Sequence, residues 1–83
     1  MTVAERFGQN LAHQRKLARI SQEDLGLRAN LHRTEISLLE RGQRIPRIDT
    51  LVKLAASLDV KPDALLADIS WKPGEFSPGR YEG

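Results

Sequence analysis

Apolar side chains recur at helical spacing from Val3 to about Ile69 and then lose that rhythm. Val3, Phe7, Leu11, the Gln14/Arg15 step and Ala18 form a stripe, which predicts a first helix over about residues 2–19. Thr2 with Glu5 three residues on makes a capping-box pattern. Ser21 followed by Gln22, Glu23 and Asp24 repeats it, with acidic side chains where a helix dipole favours them. That second helix is short, residues 22–29, and closes at Asn30, a non-glycine residue that tolerates a left-handed backbone. A third helix starts at once, with His32 at the cap, residues 33–41 as its body and Gly42 as its stop. Residues 42–47 form a loop around Pro46. A fourth helix, about residues 48–58, sets Leu51, Leu54, Ala55 and Leu58 on one face. Pro62 opens a fifth, with Ala64, Leu65, Leu66 and Ile69 apolar. The expected fold is all-α, a compact five-helix bundle over residues 1–69, with no strands.

Residues 70–83 have another character. Lys72-Pro73-Gly74-Glu75-Phe76 and Ser77-Pro78-Gly79-Arg80-Tyr81 repeat a five-residue unit, which predicts a tail of turns or extended chain. Trp71, Phe76 and Tyr81 lie here at five-residue intervals, leaving Phe7 as the aromatic of the helical core. Disordered ends are poor in aromatics. Trp71 is therefore expected to pack near Leu65, Leu66 and Ile69 and close the core, the alternative being a flexible end. Phe76 and Tyr81 are expected to stay mobile, as a strip for a partner chain, an accessory protein or a ligand.

Composition narrows the chemistry. Eighty-three residues make one domain. The absence of cysteine excludes disulfides and a thiolate zinc site and suits a reducing compartment. The charged start is unlike a signal peptide, and there is no apolar run long enough for a membrane span. A soluble, cytoplasmic, nucleoid-associated protein is expected. Between His13 and Arg47, eight Lys and Arg face four carboxylates, a net of +4 that leaves −2 for the rest. Seven of the eight are arginine, the side chain suited to bidentate phosphate and guanine contacts. Charge alone would fit any solvated face. His13 and His32 are far apart in sequence with no cysteine, so no metal site is expected. Glu23 and Asp24 diverge on a helix, and neither a phosphate loop nor a nucleophile triad can be assembled. No catalytic residue, no cofactor and no enzymatic activity are expected.

The second and third helices meet the demands of a helix-turn-helix. Gly26 lies where two helices must approach, Asn30 supplies the turn, and Leu25, Ala29, Leu31, Ile36 and Leu39 point inward. His32, Arg33, Thr34, Ser37 and Leu38 are left facing outward, short hydrogen-bonding groups beside an arginine. The stretches 21–26, 30–37 and 39–42 resemble the phage repressor/Cro type of helix-turn-helix family (the xenobiotic-response-element family of transcriptional regulators). Its usual pattern is S-Q-x-x-L-A-x-x-x-G-V-S-x-x-x-I-S-x-x-E-x-G. The likeness extends over about residues 7–66.

The resemblance implies a sequence-specific transcriptional regulator that binds double-stranded DNA as a homodimer on a twofold-symmetric operator. The helix over about residues 33–41 would enter the major groove, with Arg33, Thr34, Ser37 and Leu38 at base edges. Gln22, His32, Arg41, Arg44 and Arg47 would meet phosphates, Gln22 also bracing the third helix. Arg15 and Glu40 match a structural ion pair joining the first helix to the third. Three positions depart from the pattern: Asn30 for Gly, Gly26 for Ala, and Asp59 for a Gly after the fourth helix, where the turn is expected to differ. The competing expectation is a protein-interaction module, an antitoxin or bridging domain, with Glu35 and Leu38 as its support.

Overall fold

Thr2 opens the first helix as its spacing to Glu5 requires. Its hydroxyl accepts from the Glu5 backbone N–H (3.1 Å) while the Glu5 carboxylate accepts from the Thr2 N–H (3.0 Å). Ser21 does the same for the second helix, accepting from Asp24 N–H at 3.0 Å. The computed structural model describes residues 1–82. It runs α1 (Val3–Leu17), α2 (Gln22–Ala29), α3 (Arg33–Glu40), α4 (Ile48–Ser57), α5 (Pro62–Leu65), β1 (Ser70–Lys72) and β2 (Arg80–Glu82).

The five expected helices are present, with ends that differ by one or two residues. α1 stops at Leu17 because Ala18 caps it and Arg19 turns left-handed (φ 59°). Arg41 and Leu58 likewise cap α3 and α4 rather than belong to them. Left-handed residues follow every helix: Arg19, Asn30 (φ 55°), Gly42 (φ 71°), Asp59 (φ 55°) and Asp68 (φ 64°). Asp59 thus adopts the left-handed conformation that glycine favours.

All five helices contribute to one core: Phe7 and Leu11 from α1, Leu25 and Ala29 from α2, Ile36 and Leu39 from α3, Leu54 and Ala55 with the capping Leu58 from α4, and Leu65 from α5. Burying each large member stabilises the fold by about 1.5–3 kcal/mol. Ile20, Leu31, Leu51, Val60 and Ile69 pack around this centre half-buried. Asn10 ties α1 to the end of α5, its side-chain amide donating to the Leu65 and Ala67 carbonyls at 3.0 and 2.9 Å.

The tail departs from expectation. β1 and β2 pair antiparallel, with Ser70 opposite Glu82, Trp71 opposite Tyr81 and Lys72 opposite Arg80. Strands of three residues are too short to show alternation, and both Pro-Gly turn signals fall in the connection between them. Trp71 does not close the core. It is 53% exposed and meets Tyr81 edge-on, ring centroids 4.9 Å apart. Ile69 occupies the edge of the core instead. Phe76 is fully exposed in the connection. Among the described residues no helix is long and apolar enough to cross a membrane, and no cluster of potential metal ligands forms.

Candidate nucleic-acid interface

The outward face of α3 is positioned by two backbone approaches. Gly26 is buried, and a Cβ there would lie 2.6 Å from the Leu31 carbonyl oxygen. The chain therefore needs glycine where the family pattern has alanine, because α2 abuts the turn backbone itself. The Leu31 N–H reaches back to the Gly26 carbonyl at 2.8 Å, and Asn30 turns left-handed between the helices. On the other side, a Cβ on Gly8 would lie 2.5 and 2.6 Å from the Leu39 and Glu40 carbonyl oxygens. α1 thus presses on the last turn of α3.

Ile36 and Leu39 anchor α3 to the core, which leaves Arg33, Thr34 and Ser37 on its outer side. Arg33 and Thr34 are exposed, and Ser37 is half-buried. These three line one shallow hollow together with Arg41. Leu38 is half-buried and outside that hollow, so the structure brings three of the four candidate base-edge residues together. His32 is exposed and caps α3, its ring Nδ1 accepting from the Thr34 N–H at 3.0 Å.

Glu40 joins three helices. Arg15 donates to it through Nε (2.6 Å) and Nη2 (2.9 Å), a two-point pair with side chains 14% and 7% exposed. Arg15 Nη1 also donates to the Ile20 carbonyl at 3.0 Å. The bond to Glu40 raises the already high guanidinium pKa against the opposing cost of burial, so Arg15 stays charged. Gln22 completes the junction, its amide Nε2 donating to Glu40 at 3.1 Å. One amide hydrogen of Gln22 is left for another acceptor.

The arginines beyond α3 are not equivalent. Arg41 lies against its own helix end, Nε donating to the Ser37 carbonyl at 3.3 Å. Arg44 pairs with Glu35 of α3, and Arg47 with Asp49 at 3.3 Å. A phosphate meeting Arg44 would compete with Glu35. The sequence carries no signal for that pair, because the two residues meet through a loop. Gly8 is a second silent position, indistinguishable by spacing from a solvent-facing helix residue.

Residues 11–65 match the helix-turn-helix family HTH_3. The chain belongs to this family. Among its relatives, the control protein C.BamHI of Bacillus amyloliquefaciens is 41% identical over 61 residues, covering 72% of this chain and 75% of that protein. The restriction-modification controller protein C.AhdI of Aeromonas hydrophila has a similar crystal structure (TM-score 0.73, 37% identity, 75% of this chain and 90% of that one). So does the P22 c2 repressor in complex with a synthetic operator (TM-score 0.69, 31% identity, 74% and 92%). The family match ends at residue 65 and leaves the hairpin outside it.

Proposed function

We propose that this DNA-binding transcriptional regulator acts as a homodimer on a twofold-symmetric operator, with α3 of each copy in the major groove. The observation that carries the reading is the hollow on α3 where Arg33, Thr34 and Ser37 converge with Arg41. In this reading Arg33, Thr34, Ser37 and Leu38 meet base edges, Arg33 taking guanine through O6 and N7. Gln22, His32, Arg41, Arg44 and Arg47 meet phosphates on either side. The P22 c2 repressor supports it as a relative solved on an operator. Higher identity to C.BamHI and C.AhdI supports a controller role of the kind that those proteins are named for.

Pairing follows from size and surface. A single module buries about 600–1,000 Å² on DNA, and two recognition helices suit sites about 34–36 Å apart. Ile45, Ile48 and Val52 are exposed at 64%, 80% and 53%, an apolar row beginning inside the basic loop. In this reading a second copy covers those side chains.

The test is titration of a random duplex of about 30 bp at ~50 and ~200 mM salt, followed by selection from a random library. Affinity is expected to fall steeply with salt. Arg33→Ala should cost about 1–3 kcal/mol on the selected duplex and relax preference at one base pair. Equal weakening on all duplexes would make Arg33 a phosphate contact. Absence of binding at ~50 mM would favour a protein-interaction module.

A further inference from the structure

The hairpin has two unlike faces. Side chains alternate along a strand, so Trp71 and Tyr81 share one face while Ser70, Lys72, Arg80 and Glu82 share the other. The aromatic face holds the ribbon together, its ring centroids 4.9 Å apart. Gly79 makes room for it, since a Cβ there would lie 2.6 Å from the Trp71 ring. The other face sets Lys72 directly opposite Arg80, where like charges repel. Little within the chain answers them. Glu82 comes no nearer to Arg80 than 3.9 Å, with side chains 46% and 69% exposed, and among the described residues Lys72 has no ion-pair partner. Two cations held side by side against their own repulsion complement successive phosphates of a nucleic-acid strand.

The hairpin is rooted beside the helix-turn-helix. Tyr81 and Glu82 of β2 line a cleft with Thr2, Val3 and Arg6 at the start of α1. Between that cleft and α3 stands Glu5, whose backbone backs the turn that ends α3: a Cβ on Gly42 would lie 2.8 Å from the Glu5 Cα. The two cations therefore leave the body near the end of α3 that carries Arg41 and the basic loop 42–47. We propose that Lys72 and Arg80 bind neighbouring phosphates of the duplex that α3 enters, which makes the hairpin a second grip on the DNA backbone outside the helix-turn-helix. The proposal rests on the reading of α3 as the groove helix. Repulsion that weakens the hairpin in the free chain is relieved once phosphates face the two cations.

Two variants test the grip. Lys72→Gln with Arg80→Gln removes the cations alone. A chain ending at Ile69 removes Lys72 and Arg80 together with Glu75 and Glu82, so the net charge stays at +2. The probes are a random duplex of about 30 bp and the duplex that wild type selects from a random library. Both variants should melt within about 4 °C of wild type. Both should bind either probe at least about 10-fold more weakly at ~100 mM salt, with the slope of log K against log salt shallower by about 1.8 per chain. Both should select the wild-type sequence, because phosphate contacts carry no sequence information.

Wild-type slopes in both variants would overturn the phosphate contact. Wild-type slopes together with a lost dimer would overturn it as well, and give the cations to carboxylates of a second copy. A loss confined to the double variant would reduce the effect to net charge. A changed selected sequence would overturn the phosphate assignment in favour of base edges. Failure of the wild-type protein to bind any duplex is a different result, and it overturns the reading of α3 together with this one.

Discussion

Phe7, Leu11, Leu25, Ile36, Leu39, Leu54 and Leu65 are fully withdrawn from water in the helical body. In the hairpin every strand residue is exposed, and the recorded aromatic contact is the edge-on pair of Trp71 and Tyr81. Both regions are ordered by pairing, but at different strengths. The body combines burial, capping boxes and an enclosed ion pair. The hairpin relies on cross-strand pairs worth about 0.2–1 kcal/mol each, and an isolated two-stranded hairpin is marginal in water. One of its three pairs, Lys72 opposite Arg80, sets like charges face to face and works against it. Order in a chain therefore does not measure contribution to stability. β2 lies beside the start of α1, where Thr2, Val3, Arg6, Ile69 and Tyr81 line a narrow cleft.

Breaking the body should have the largest effect. Arg15→Met or Glu40→Gln strands one charge in a largely enclosed place, which costs about 3–5 kcal/mol and threatens folding altogether at this domain size. Thermal melts check it. Variants that melt within a few degrees of wild type would place the pair effectively in solvent. Deleting residues 70–83 should matter much less, lowering Tm by under about 4 °C. Trp71 fluorescence in the full chain should be solvent-like and freely quenched. A larger drop in Tm, or a shielded Trp71, would make the hairpin part of the core.

The smallest effect is expected at the start of α1. The Thr2 backbone N–H, and with it the Thr2 hydroxyl, holds the Glu5 carboxyl below its ordinary pKa. A carboxyl whose pKa is lower folded than unfolded adds stability above the unfolded value and loses it as pH falls through the folded one. Glu5→Gln should therefore melt slightly below wild type near neutral pH, and the gap should close on acidification below the carboxylate range. A gap that stays constant with pH would mean that Glu5 takes no part in the cap.

Legibility followed the range of each interaction. The capping pairs Thr2–Glu5 and Ser21–Asp24, the cap at His32 and the turn at Asn30 are local, so three or four adjacent letters announce them. Core positions followed from helical period. Arg15 and Glu40 are 25 residues apart and were legible only through family resemblance, since nothing in spacing links them. Glu35 with Arg44 and Asn10 with the end of α5 had neither kind of signal. Trp71 was misplaced because a large apolar ring was expected to seek the nearest core. A cross-strand partner ten residues on satisfied part of its surface instead. Leu38 lies between the outward position expected of it and the core, half-buried next to the fully buried Leu39.

The residues that end the helices have a consequence for engineering. Among the described residues, four of the five left-handed positions are Arg19, Asn30, Asp59 and Asp68, each with a side chain that resists that conformation to some degree, whereas Gly42 adopts it freely. Glycine at those places would relax the folded backbone while loosening the unfolded chain, two effects of opposite sign. Asn30 is the most tolerant of the four and sits beside α3, whereas Arg19, Asp59 and Asp68 lie in the other connections. Those three connections offer a way to adjust heat resistance while leaving the sequence of α2 and α3 untouched.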